Sequence, residues 1–180
     1  MRTLILVIVL AVVVAFGSEA LAQGLGVSGS LEMLPVPGKR VFLPTNPGTN
    51  IQKGYFWSYS AKFLCGTIPP TQGLGGPLLP GTYLTAINIR NYNFIEVPIR
   101  KTAVETKPEN LDQGQLGPFK SVVLGPGQGI EVDCSDVISL LPVPPPHPDL
   151  TKEFVKGFVV IVSPLDLDIV GVYTAEPVAP

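Results

Sequence analysis

Between Gly54 and Cys65 the side chains take turns. Tyr55, Trp57, Tyr59, Ala61, Phe63 and Cys65 form one series, and Phe56, Ser58, Ser60, Lys62 and Leu64 form the other. Successive residues of a strand point to opposite faces, so this stretch has one aromatic, apolar face and one wetter face. It carries the single Trp of the chain and one of its two Cys. A segment of this pattern must lie against a second apolar layer, and it predicts a core strand from Lys53 to Thr67.

The same period of two recurs downstream. Thr82 to Arg90 sets Tyr83, Thr85, Ile87 and Ile89 on one face and Leu84, Ala86, Asn88 and Arg90 on the other. Further strands are expected at 94–106, 119–124, 130–134, 154–163 and 167–175, with Ile95, Val97 and Ile99 facing inward in the first of these. Pro98 would place that strand at an edge or mark a bulge. Gly125 to Gly129, GPGQG, reads as a hairpin turn joining the strands on either side of it. Pro164-Leu165-Asp166 reads as a second hairpin turn, and Asn91-Tyr92-Asn93 as a turn. Asp136 to Leu141 is expected as a single helical turn capped by Ser135. The 19 Gly and 20 Pro fall between apolar runs without a period, as turn residues do. No alternation of strand and helix is present. These features predict an all-β fold, an antiparallel immunoglobulin-like β-sandwich of seven or eight strands.

The N-terminus reads differently. Arg2 precedes an apolar run from Leu4 to Phe16, and Ala20-Leu21-Ala22 follows as a small-x-small site. That order describes a signal peptide over residues 1–22. The run is shorter than the roughly 20 residues needed to span a bilayer. Residues 23–50 read as an irregular Pro- and Gly-rich arm, with a short strand at Val41-Phe42-Leu43 and some packing along a sheet edge. Residues 51–176 form the β-sandwich domain and 177–180 a tail. Pro142 to Asp149 is too rich in proline for sheet or helix and should be extended. Export leads to a secreted or periplasmic location, with no stable membrane insertion once the leader is removed. The net charge of −2 leaves no electrostatic footprint for nucleic acid.

Cys65 and Cys134, the two cysteines, sit at strand ends on inward faces. In an oxidising compartment they are expected to form a disulfide across the sandwich. Trp57 precedes Cys65 rather than lying between the cysteines, so the pattern of true immunoglobulin domains is not met and only the architecture is expected.

Candidate chemistry is sparse. Gly24-x-Gly26-x-x-Gly29 spells a dinucleotide fingerprint, but it lacks the strand before it and the helix after it, and no cofactor is expected. The glycines of GPGQG could offer backbone N–H groups to an anion, but a plain turn accounts for them. His147, the single His, stands near Asp149 in a proline-rich loop unsuited to holding a catalytic imidazole. One His and two Cys leave no ordinary zinc site. Glu131, Asp133, Asp136, Asp166 and Asp168 would hold calcium only if their loops met at one end of the sandwich; a solvated acidic rim is the simpler reading. Tyr92 and Phe56 are candidates for an exposed aromatic platform.

The segments AKFLCG, PGTYLTAINIRN, GIEVDC, FVKGFVVI and LDIVGVYTA, spread from about Tyr59 to Ala175, resemble a group of small exported bacterial proteins with a predicted β-sandwich and no assigned activity. The resemblance implies an exported sandwich with paired cysteines and assigns no functional residue. The expected function is therefore non-enzymatic: a module for binding, assembly or cell-envelope association, whose partner is a protein or an envelope component. Pairing of a partner strand with a sheet edge is one mode open to it, and a homo-oligomer is compatible with it. The alternative is a hydrolase of envelope carbohydrate acting through paired carboxylates.

Overall fold

Period-two alternation does become sheet. The computed structural model describes residues 29–43, 54–70, 78–142 and 153–177. Its elements are β1 (Ser30–Pro35), β2 (Lys39–Leu43), β3 (Gly54–Ile68), β4 (Gly81–Arg90), β5 (Val97–Glu105), β6 (Lys120–Leu124), β7 (Gly129–Val132), α1 (Cys134–Ser139), β8 (Phe154–Ser163) and β9 (Asp168–Pro177). All strand pairs are antiparallel. The signal peptide, Gly24 and Gly26, His147 with Asp149, most of the 142–149 segment and residues 178–180 lie outside the described residues.

Hydrogen bonds run in one path, β1-β9-β4-β3-β8-β5-β6, with β2 added to β3 and β7 to β4. The path folds into two layers, β1-β9-β4-β7 and β2-β3-β8-β5-β6. The architecture is an antiparallel β-sandwich. Strand β3 belongs to both layers. It pairs with β8 from Trp57 to Gly66, and its last residues, Gly66 to Ile68, pair with Gly81 to Tyr83 of β4. Beyond that contact β3 and β4 part, and side chains bridge the opening. The Thr85 hydroxyl accepts from Leu64 N–H and donates to Leu64 C=O, both at 3.0 Å. The Tyr173 hydroxyl donates to Lys62 C=O at 2.9 Å. Gly66 stands at the parting point with φ of +105°, and a Cβ there would lie 1.8 Å from the Glu153 carbonyl oxygen. Only glycine fits.

The two layers bury the inward series. Tyr59, Ala61, Phe63 and Cys65 face Ile87, Ile89, Val132 and Ile169 in one core. Each large apolar side chain in it contributes about 1.5–3 kcal/mol by leaving water. Cys65 and Cys134 are joined, with Cα atoms 5.6 Å apart, so the disulfide ties β3 to the first residue of α1, just beyond β7, across the layers.

Several expectations are corrected. The arm at 23–50 is not irregular throughout: Ser30–Pro35 pairs with β9, while Lys39–Leu43, which contains the short strand expected at Val41-Phe42-Leu43, pairs with β3. Neither expected hairpin is one. Strand β6 pairs with β5 while β7 pairs with β4, and β8 pairs with β3 and β5 while β9 pairs with β4 and β1. Both turns are arches that carry the chain from one layer to the other. A turn motif reverses direction whether or not its flanks pair, so the two cases look alike in sequence.

Residues 94–96 are loop rather than strand, and Ile95 is exposed. Strand β5 is not an edge strand, since it lies between β8 and β6. Thr106 N–H bonds Lys156 C=O in register with the β5–β8 ladder. Even-numbered residues of β5 therefore direct their backbone groups toward β8. That ladder stops at Arg100, so Pro98 aims its missing donor at a position with no β8 partner. Helix α1 begins earlier than expected. Its cap is Asp133, not Ser135: the Asp133 carboxylate accepts from Asp136 N–H at 2.9 Å and from the Ser135 hydroxyl at 2.7 Å. These bonds hold its pKa below the ordinary carboxylate value.

Candidate functional site

Three crossings between layers meet at one end of the sandwich: β4 to β5 through 91–96, β6 to β7 through 125–128, and β8 to β9 through 164–167. Asn91 holds them together. It is 0 % exposed. Its side-chain amide donates to the carbonyls of Ile95 at 2.8 Å, Leu124 at 2.9 Å and Gly125 at 3.0 Å. Its Oδ1 accepts from the backbone and side-chain amides of Asn93 at 2.9 and 3.0 Å. Its own backbone bonds Gln128 C=O and Gly127 N–H. Carbonyls buried at a corner need donors from somewhere, and one amide meets several of them.

The third crossing is tied in through Asn93, whose side-chain amide donates to the Asp166 carbonyl at 2.9 Å. The Asp166 carboxylate accepts from the Tyr59 hydroxyl and from Leu167 N–H at 3.1 Å. Tyr59 in turn accepts from Leu167 N–H at 2.7 Å. Burial first, and the Asp166 carboxylate second, push the Tyr59 hydroxyl pKa well above its usual value.

A pH effect follows with a definite sign. The phenol stays neutral in the fold at pH values where it would ionise in the unfolded chain. Its contribution is whole below about pH 10 and is lost as pH climbs from there toward the raised value. Tyr59→Phe should cost about 1–3 kcal/mol near pH 7, by leaving Asp166 short of a donor. Urea melts at increasing pH should show the gap between variant and parent narrowing above about pH 10.

On this braced base the loop turns its remaining side chains outward. Phe94 is 96 % exposed, and Tyr92 and Ile95 are about half exposed. Tyr92, expected as a platform residue, is therefore at the surface. Phe56, the other candidate, is half-buried on β3 opposite Val41 of β2 and takes no part in this end. The GPGQG amides are already engaged: Gly125 N–H bonds the Gln128 side chain at 2.8 Å, Gly127 N–H bonds Asn91 C=O, and Gln128 N–H bonds Gly125 C=O.

The acidic residues do not converge. Asp166 is at the loop end, while Asp133 and Asp136 open α1. Glu131 pairs with Asn88 and Asp168 with Arg90, so strand β4 lies between these two carboxylates. Among the described residues no three His, Cys, Asp or Glu side chains gather to hold a metal ion. A cleft of about 250 Å³ on the outer face, lined by Leu84, Ala86, Val172, Thr174 and Asp133, presents one carboxylate that is already capping α1. Sequence reasoning missed Asn91 and Phe94. The Asn-x-Asn spacing was a legible local signal, but the carbonyls that make Asn91 central come from more than thirty residues away.

Among the described residues no helix is long and apolar enough to cross a membrane. No family model matches the chain, and no curated protein matches it. A solved structure described under the words "Structural basis for the promiscuous specificity of the carbohydrate-binding modules from the beta-sandwich super family" is similar at 14 % identity. The alignment covers 86 % of this chain and 58 % of that one, with a TM-score of 0.28. A likeness that slight transfers no ligand.

Proposed function

We propose that this chain is an exported, non-enzymatic binding module that meets an envelope component through the loop end built on Asn91. The observation that carries the proposal is Phe94, a large apolar side chain left 96 % exposed on a loop whose base is fixed by buried hydrogen bonds. A fixed backbone lets exposed aromatic side chains bind without first paying to order the loop. Exposed rings suit a sugar, whose C–H faces stack on aromatics, so envelope polysaccharide is the ligand class to test first. A binder rather than a hydrolase is supported by Asp166, whose carboxylate is occupied by Tyr59 and Leu167. The disulfide supports a secreted or periplasmic setting.

The test is native electrophoresis through gels containing cell-envelope polysaccharide. The parent should be retarded. A Tyr92→Ala, Phe94→Ala double variant should bind about 30-fold more weakly, the scale of a lost hot spot of about 2 kcal/mol. It should melt within a few degrees of the parent, since both side chains are exposed. Equal retardation of the two proteins would remove this end from the binding surface.

A further inference from the structure

At the margin of the β1-β9-β4-β7 layer, β1 pairs with β9 on one side and, among the described residues, with no strand on the other. Val36 N–H donates to Ile169 C=O at 2.9 Å, continuing the β1–β9 register. Hydrogen-bonded and non-hydrogen-bonded pairs alternate in an antiparallel ladder. Ser30, Glu32 and Leu34 therefore spend their backbone groups on β9, and Leu31 and Met33 direct theirs outward, as does Gly29 by the same alternation. All six residues of β1 are exposed, and Leu31 and Met33 are each 65 % exposed. Proteins guard such edges with cations. The edge strands β2 and β6 carry Lys39, Arg40 and Lys120, whereas β1, like the four-residue β7, carries no cation, its one charged side chain being Glu32.

We infer that this edge pairs with the same edge of a second copy, antiparallel across a two-fold axis at Leu31, joining two four-stranded layers into one sheet. Registers centred on a residue keep like faces together, and among those centred at Leu31, Glu32 and Met33 chemistry favours the first. An axis at Glu32 would set two carboxylates directly opposite, which is destabilising. An axis at Met33 would set Pro35, which has no N–H, opposite Leu31. With the axis at Leu31, Gly29 meets the partner copy's Met33, and all outward N–H and C=O groups of Gly29, Leu31 and Met33 are satisfied. Glu32 then faces a Ser30 hydroxyl, a donor for its carboxylate. That hydrogen-bond complementarity within one short segment, with the like charges kept from facing each other, is the reason to name a second copy rather than a foreign strand. The overlap falls short of the roughly 800 Å² per partner of a standard stable interface. The association is therefore concentration-dependent, and it is independent of the ligand assigned to the loop end.

The experiment has two arms. Light scattering of the intact protein from about 10 μM to about 1 mM should show mass rising toward a dimer. Leu31→Lys, an exposed change that puts two cations on the axis, should stay monomeric with an unchanged circular-dichroism spectrum. In the second arm, Leu31→Cys should oxidise to a covalent dimer, because hydrogen-bonded antiparallel partners have Cα atoms about 5.5 Å apart, within disulfide reach. Met33→Cys, facing Gly29 of the other copy, should oxidise at least tenfold more slowly. A parent that remains monomeric up to the highest concentration, or Met33→Cys linking as fast as Leu31→Cys, overturns the inference.

Discussion

Asn91→Ala should lower stability by about 3 kcal/mol or more. The substitution strips the carbonyls of Ile95, Leu124 and Gly125 of a shared donor and both Asn93 amides of an acceptor. Each buried polar group left unpaired costs about 1–3 kcal/mol. Some of these groups will reach water once the corner loosens, which keeps the total below the simple sum. For a domain of this size about 1 kcal/mol shifts the melting temperature by roughly 2–4 °C, so calorimetry should show a fall on the order of 10 °C. Asn91→Asp is the informative companion. It keeps the acceptor for Asn93 but points a second carboxylate oxygen at carbonyls that need a donor. It should be no better than alanine near neutral pH and should recover part of the loss in acid, where the carboxyl can donate. If both variants melt with the parent, Asn91 is not the brace described here.

Replacing both cysteines by alanine should cost about 4 kcal/mol. The bond closes a loop of 69 residues and lowers the entropy of the unfolded chain accordingly. It also ties the layers where β3 leaves the ladder with β4, beside the Thr85 bridge, whose backbone N–H lies 3.3 Å from the Cys134 sulfur. The melting temperature should drop by roughly 10 °C or more. The parent under a strong reductant should fall to the same value, which separates loss of the cross-link from loss of side-chain volume. The disulfide and Asn91 share no partners, so the two losses should add within about 0.5 kcal/mol. A parent that melts identically with and without reductant would deny the bond its role.

What could be read from the residues was whatever repeats every second position. The buried series of β3 and β4, Tyr59 to Cys65 and Tyr83 to Ile89, fall on the expected faces because alternation is a local property. The disulfide was legible because two inward cysteines in one sandwich have few other fates. The pairing of strands was not. GPGQG and Pro164-Leu165-Asp166 say that the chain turns, and which layer receives it is decided by apolar faces far away in sequence. Strand β1 was hidden by Pro35 and Pro37, which suggest irregularity, whereas the strand expected at Val41-Phe42-Leu43 is the end of β2. The loop end was half legible. Tyr92 stood out as an aromatic in a turn, but Phe94 and Ile95 continued an apolar pattern into Val97 and seemed to belong to the strand. They leave it because Asn91 claims the Ile95 carbonyl and folds the segment back.

That fold-back divides labour within a single short loop. Asn91 and Asn93 turn inward and hold the architecture, while Tyr92 and Phe94 turn outward and bear on almost nothing inside. The outward pair can be exchanged for other side chains at little cost to the protein, and the inward pair cannot. A lineage carrying this corner is free to explore new targets one substitution at a time, since altering what it touches does not disturb what keeps it standing.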